Sequence, residues 1–260
     1  MKAYAYVKKG LSHEKGVCED AVLINDTVIK GGYHEFDLSD HCLVAVADGI
    51  GGSNRGEVAS GLALLGLASL DRSELTIHKI CDKIFEQNRV IYEIGDLTTC
   101  CSRTGSTLTL LAKLEEGMFI CQLGNSRLYK VNEMGPICLT TDRNVYRDLL
   151  NDKKISGAPQ GISVDDIIGS PQQFMLTTHL GMNPHIIEEE LDVTMAELNA
   201  GERIIMTSDG IHDHLGHLPA DEFAALFTSH EDPKVVLERF VEAALEGESK
   251  DDLSVIMIEM

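Results

Sequence analysis

Four acidic sites in this 260-residue chain share one local grammar. Glu19-Asp20 precedes the apolar run that starts at Ala21. Asp48-Gly49 ends the run Cys42-Leu43-Val44-Ala45-Val46-Ala47. Asp209-Gly210 follows a strand-like segment over 202–207, and Asp251-Asp252 opens the apolar run 253–259. Carboxylates at the ends of interior strands are costly to desolvate unless something compensates them. Several that converge repel one another and are driven to protonate, unless divalent cations sit between them. Oxygen-only ligands without His or Cys point to a hard ion, Mg²⁺ or Mn²⁺. Glycine after Asp lets the chain turn sharply and lets an ion or its waters approach a carbonyl. One Asp-Gly pair is an ordinary turn. Two such pairs and two acidic doublets, all at strand ends, suit a two-metal hydrolytic site.

The elements that must carry these acids can be read from periodicity. Residues 21–25 and 27–30 read as short strands around the Asn25-Asp26 turn. The run 42–47 is a buried strand. Ser53-Asn54 can cap a helix through about residue 70, with Val58, Leu62 and Leu65 on one face. A second helix over about 76–94 carries the stripe Ile77, Ile80, Cys81, Ile84, Asn88, Ile91, interrupted by one polar residue. Strands return over 106–113, 118–123 and 127–131. Residues 144–185 mix Gly, Pro and polar side chains without period and read as a loop-like insertion projecting from the core. Helices over 220–227 and 234–245 precede the last strand, whose continuous apolar character predicts two buried faces. The expected class is α+β: two packed antiparallel sheets flanked by helices, in one domain over 1–260.

Composition narrows the function. Lys and Arg total 22 against 42 Asp and Glu, a net charge of −20. Such a surface repels phosphate backbones and anionic lipid, so neither nucleic acid nor membrane is expected as a partner. It suits cations and basic peptide segments. Trp is absent and aromatic residues are 5 % of the chain, too few for a base-stacking platform. The seven cysteines form no Cys-x-x-Cys pair, which argues against a zinc ribbon or a thioredoxin-like site. No leader-like or membrane-spanning apolar run occurs, so a reducing, cytoplasmic setting is expected.

With these residues in view, the chain resembles the metal-dependent type 2C (PPM) protein serine/threonine phosphatases, and their bacterial branch in particular. The matching pieces are Lys15-Gly16-Val17-Cys18-Glu19-Asp20-Ala21, Val46-Ala47-Asp48-Gly49-Ile50-Gly51-Gly52, Gly105-Ser106-Thr107, Gly124-Asn125-Ser126-Arg127, Thr207-Ser208-Asp209-Gly210-Ile211 and Asp251-Asp252-Leu253-Ser254-Val255-Ile256. They run in the family's order along nearly the whole chain. The resemblance implies a four-layer α–β–β–α sandwich with two Mn²⁺ or Mg²⁺ ions in a cleft at one end of the sheets. It implies that Asp48 bridges both ions, with the Gly49 carbonyl beside it. Asp209 and Asp251 would bind the first ion, Glu19 the second, directly or through water, and Asp20 would bind an ion or hold its waters. A hydroxide bridging the two ions would attack phosphorus in line, removing phosphate from phosphoserine or phosphothreonine. Phosphorylated proteins and a cognate Ser/Thr kinase are the implied partners, and a monomer is expected. Residues 144–185 correspond to the family's flap beside the cleft.

Several positions depart from the family pattern. Lys15 stands where an Arg usually grips the substrate phosphate. Ile50 replaces the His of animal members. Asn125 stands where many members have an Asp that helps bind a third ion with Asp213, which puts that ion in question. The last motif reads Asp-Asp rather than Asp-Asn, so either Asp251 or Asp252 could be the ligand. The alternative reading is a non-catalytic or weakly active regulatory or binding member of the same fold; hydrolysis of a small phosphate ester or of a different phosphorylated residue by the same centre is a third. His212-Asp213-His214 with His217 has no ligand spacing of a known metal motif and reads as solvated residues near the cleft. Gly49-x-Gly51-Gly52 lacks a full dinucleotide fingerprint.

If Lys15 holds the substrate phosphate, Lys15→Ala should raise KM with a smaller loss of kcat. Lys15→Arg should preserve kcat/KM or improve it by up to about 1–2 kcal/mol of transition-state binding, because a guanidinium offers a bidentate fork. Steady-state kinetics of both variants on a phosphopeptide measure this.

Overall fold

A computed structural model of the chain describes residues 1–11, 16–50, 55–98, 104–151, 163–186, 188–199 and 201–259. Lys15, Gly51, Gly52, the expected Ser53-Asn54 cap and Cys100-Cys101 lie outside the described residues.

Thirteen strands among the described residues form two antiparallel sheets. The first sheet holds β2 (Asp20–Ile24), β3 (Thr27–Ile29), β5 (Cys42–Ile50), β7 (Leu108–Leu114), β8 (Gly117–Leu123) and β11 (Asp192–Ala196), in the order β11-β8-β7-β5-β2-β3. The two-residue β6 (Gly105–Ser106) pairs with the end of β5. The second sheet holds β1 (Lys2–Lys8), β4 (Gly32–Asp37), β9 (Arg127–Asn132), β10 (Gly135–Cys138), β12 (Arg203–Thr207) and β13 (Leu253–Glu259), in the order β10-β9-β12-β13-β1-β4. Helices α1 (Gly56–Ala68) and α2 (Ile77–Thr98) cover the first sheet. Helices α6 (Ala220–Thr228) and α7 (Pro233–Glu246) cover the second. Between β12 and α6 lies the one-turn helix α5 (Asp209–His212). The expected α–β–β–α layering is what the chain forms.

Strand alternation builds this stack. In β2 and β5, Ala21, Leu23, Leu43, Ala45 and Ala47 point to the α1/α2 layer. Their neighbours Val22, Ile24, Cys42, Val44 and Val46 point to the other sheet. In β13, Ile256 and Ile258 face that same middle layer, while Leu253, Val255 and Met257 pack on α5, α6 and α7. Period-two side chains on strands buried on both faces need apolar residues at every position, which is why these strands read as continuous runs.

Helix α1 differs from expectation. Its buried face is Ala59, Ser60, Ala63, Leu64 and Leu67, whereas Leu65 is 58 % exposed and Val58 and Leu62 are only partly covered. The reason is close approach. Gly56 lies against Gly49 at the end of β5, where a Cβ would come within 2.6 Å of the Gly49 carbonyl oxygen. So short a distance turns the small residues of the helix inward, and the bulkier Leu65 faces out. In α2 the polar interruption is structural. Asn88 is buried and donates to the Asn183 carbonyl at 2.9 Å while accepting from Gly181 N–H at 2.8 Å. It ties a long helix to the far end of the 144–185 segment.

That segment is more ordered at its roots than its composition suggests. It contains α3 (Val145–Leu150), α4 (Val164–Ile167) and a 3₁₀ turn over Pro171–Phe174; residues 152–162 lie outside the described part. Arg143 donates to the fully buried Asp148 at 3.1 Å and to Asp192 at 3.0 Å, and Thr177 also donates to Asp148. A buried carboxylate paired on several sides is strongly destabilising to break. The segment returns to the sheet where Ser106 and Leu180 exchange backbone hydrogen bonds. No described helix is long and apolar enough to cross a membrane.

A methyl group at Gly49 would sit inside the backbone of Gly56, whereas Gly31 has open space around it. Gly49→Ala should cost about 1–3 kcal/mol of stability through overpacking, and Gly31→Ala should be near neutral. Urea unfolding of the two variants tests the contrast.

Candidate functional site

All four acidic strand ends arrive at the same end of the stack. Within the first sheet, Asp20 lies directly opposite Asp48 in the β2–β5 register. From the second sheet, Asp209 follows β12 and Asp251-Asp252 precede β13. Residues directly opposite across a sheet have Cβ atoms about 4.5–5.5 Å apart, so like charges there oppose each other. Asp20 is 1 % exposed. Burial, with repulsion from Asp252 and Asp209, pushes its pKa up to about 8, although Ser208 and Ser254 hydrogen bonds pull the other way. Asp48 is raised well above the carboxylate range, first by burial and then by Asp209, Asp20 and Asp251.

Polar neighbours hold each acid. The Asp48 amide donates to Thr107 Oγ1 at 3.0 Å, and its carbonyl accepts from Thr107 N–H at 2.8 Å and Ser106 Oγ at 3.1 Å. Ser208 Oγ donates to Asp20 Oδ2 at 2.7 Å and accepts from Ser254 N–H at 3.0 Å. Asn125 Nδ2 donates to Asp209 Oδ2 at 2.9 Å. Glu19 is 5 % exposed, and its carbonyl accepts from Gly49 N–H and from Ser60 Oγ. Asp252 is buried, and its two carboxylate oxygens accept from Gly10 N–H at 2.7 Å and Glu19 N–H at 2.6 Å. Asp251 is exposed and accepts from Asp252 N–H at 2.8 Å. Of that pair, Asp252 is turned inward onto the main chain and Asp251 toward the acids.

Asp213 lies one turn beyond Asp209, and burial and the Asp209 carboxylate push its pKa up to about 6. Its Oδ1 is 3.6 Å from Arg127, whose guanidinium also grips Asp142 with two hydrogen bonds. His212 lies 3.5 Å from Asp213, but burial and nearby Arg127 hold its pKa well below the usual range, so it adds no ion pair. Its Nδ1 shares a hydrogen bond with Thr207 Oγ1. His214 and His217 bond the carbonyls of Gly247 and His214. Lys15, the expected phosphate-binding residue, is outside the described residues.

The donor set fits hard divalent ions. Asp209 Oδ1 and Asn125 Oδ1 are buried without a hydrogen-bond partner. An orphaned carboxylate oxygen beside carboxylates of raised pKa is what an inserted cation would satisfy. Among the described residues, however, no three acidic, His or Cys side chains already converge as a ligand cluster. The acids share one end of the fold without surrounding one point.

Sequence reading named the acids but not the groups that hold them. Thr107, Ser106, Ser208, Ser254 and Ser60 had no assigned role, although Gly105-Ser106-Thr107 and Thr207-Ser208-Asp209 were already notable as motifs. Neutral hydroxyls carry no signal of their own until their partners are known.

The chain as a whole is similar to several known proteins. The family model of stage II sporulation protein E (SpoIIE) matches residues 171–260. Serine/threonine protein phosphatase PstP of Mycobacterium tuberculosis is 27 % identical over 223 residues, covering 84 % of this chain; the chain spans 40 % of that relative's length. Protein phosphatase PhpP of Streptococcus pneumoniae is 22 % identical over 233 residues, 87 % of this chain and 89 % of that one. The crystal structure of the PPM Ser-Thr phosphatase MsPP from Mycobacterium smegmatis, in complex with cacodylate, superposes with a TM-score of 0.73 at 27 % identity, over 99 % of this chain and 97 % of the other.

Without bound ions, Asp20 keeps its proton in the fold up to about pH 8, against about 3.9 in the unfolded chain. The folded state therefore binds more protons across that window, and stability should fall as pH rises from about 4 to about 8. In EDTA at pH 8, Asp20→Asn should raise Tm, by about 2–4 °C for each kcal/mol of repulsion removed. Thermal melts of both proteins at pH 5 and pH 8 check the sign.

Proposed function

We propose that the chain, which is similar to PPM-type serine/threonine phosphatases, is a member of that family and removes phosphate from phosphoserine and phosphothreonine in proteins. The family is metal-dependent, and the proposed cofactor is two Mn²⁺ or Mg²⁺ ions per chain. The observation that carries this reading is the convergence of Asp20, Asp48, Asp209 and Asp251 at one end of the two sheets, with Asp209 Oδ1 buried and unpartnered. Asp48 would help hold both ions, with the Gly49 carbonyl beside it. Asp209 and Asp251 would hold one, and Glu19 and Asp20 the other. Bound there, the ions would lower the pKa of a coordinated water and neutralise charge on the phosphoryl oxygens.

The chain's own residues prepare that chemistry. Ser208 and Asn125 orient Asp20 and Asp209 by donating to one oxygen of each. Thr107 and Ser106 fix the main chain of Asp48, so its carboxylate and the Gly49 carbonyl emerge at a set angle. Lys15 is proposed to hold the substrate phosphate. No third ion is proposed, because Asn125 is neutral and Asp213 already faces Arg127.

We extend the reading to the substrate. Residues 144–185 are proposed as a flap-like insertion in a single phosphatase domain over 1–260. Exposed Leu150, Ile168, Phe174 and Met175 support contact between that segment and a peptide. The net charge of −20 favours basic sequences around the phosphoresidue, in a cytoplasmic, monomeric enzyme that works against a Ser/Thr kinase.

Turnover of a phosphothreonine peptide with Mn²⁺ and none in excess EDTA is the expected result. Asp48→Ala and Asp209→Ala should each abolish that turnover. Near-wild-type rates for either variant in Mn²⁺ would overturn the site, and an inactive wild type that still folds would favour a binding module.

A further inference from the structure

We propose that Asp252 is a positioning residue that sets the relative placement of Glu19, Asp209 and Asp251. The inference rests on the metal-dependent reading above and assigns a role to a residue that would not itself touch an ion. Asp252 is 2 % exposed and lies between the two sheets' acidic ends. Three separate parts of it reach three separate segments.

Its carboxylate faces the turn that leads into β2. Oδ2 accepts from the Glu19 amide at 2.6 Å, and Oδ1 accepts from the Gly10 amide at 2.7 Å. The other side of that peptide chain is held as well, since the Glu19 carbonyl accepts from Ser60 Oγ at 2.6 Å and from Gly49 N–H at 3.2 Å. Glu19 is thus fixed at both its N–H and its C=O.

The main chain of Asp252 faces the other two acids. Its N–H donates to Asp251 Oδ1 at 2.8 Å, which orients that carboxylate. Its carbonyl packs on Gly210, the residue after Asp209, so tightly that no side chain fits at Gly210. Ser249 Oγ closes the same corner by donating to the Gly210 carbonyl at 2.8 Å. A second glycine, Gly10, lies against the Asp251 main chain with equally little room. One buried residue therefore links the approach to β2, the end of β12 and the start of β13.

An amide in place of the acid would keep the shape and lose half of the grip. Asn has one acceptor oxygen, and its NH₂ would point at a main-chain N–H. Asp252→Asn should free either Glu19 or Gly10 and so loosen the ligand that Glu19 presents. Removing partners that orient metal ligands weakens metal affinity by about 10–100-fold.

The experiment is isothermal titration of Mn²⁺ into metal-free full-length wild type, Asp252→Asn and Ser60→Ala, with thermal melts and saturation kinetics alongside. The expected result is an Mn²⁺ Kd raised about tenfold or more in Asp252→Asn, with kcat recovering to within about threefold of wild type at saturating Mn²⁺. Ser60→Ala should weaken Mn²⁺ in the same direction, because it loosens Glu19 from its carbonyl side. Asp148→Asn serves as a control: it breaks a fully buried carboxylate away from the site and should lower Tm without moving the Mn²⁺ Kd. An unchanged Kd in folded Asp252→Asn would overturn the proposal. Should that variant not fold, an unchanged Kd in Ser60→Ala would do so. Wild type that binds Mn²⁺ but hydrolyses no phosphopeptide would sink the proposed function and leave the positioning role to be decided by the Kd values.

Discussion

Mutual repulsion among carboxylates is the constraint around which this molecule is arranged. The fold drives Asp20 and Asp48 into register across one sheet and brings Asp209 and Asp251 beside them from the other. Burial and like charge raise Asp20 and Asp48 far from their ordinary values. Gathering these acids at one end of the fold is unfavourable on its own, and the apolar layers on either side must outweigh it. Those layers are extensive: the middle one alone packs β1, β2, β5, β12 and β13 through Ala, Val, Ile and Met side chains. Stability is thus contributed by the body of the sandwich and consumed at its rim, a common arrangement where a site must be held in a strained electrostatic condition.

Glycine is what lets the acids come so close. Gly10, Gly49, Gly56 and Gly210 each lie where a Cβ would overlap another backbone. The close approach of α1 to the end of β5 has a wider effect, because it decides which face of the helix is buried. The exposed Leu65 is a product of that geometry.

Much of this was legible in the residues. Continuous apolar runs marked β5 and β13 because both faces of those strands are covered, and the acids stood out by following or preceding them. The ordered motifs located the layer architecture. Strands β1, β4, β10 and β11 were not legible. In β4 and β11 most positions are partly or fully exposed, so period-two alternation is weak. The buried face of α1 was misread because Ala59 and Ala63 contribute little hydrophobicity, while close packing, which the sequence does not display, decides the facing. The hydroxyl and amide groups around the acids were silent for a further reason. Ser208 and Asp20 are 188 residues apart, and Asp252 and Glu19 are 233 apart, so their pairing exists only in three dimensions.

The bonds from Ser208 to Asp20 and from Asp252 to the Glu19 amide cross from one sheet to the other. Most of the side chains packed between the sheets are apolar, and contact of that kind is non-directional and tolerates sliding. A few directional polar links at one rim therefore act as an index mark. They select one alignment of two greasy surfaces out of many that would bury almost the same area.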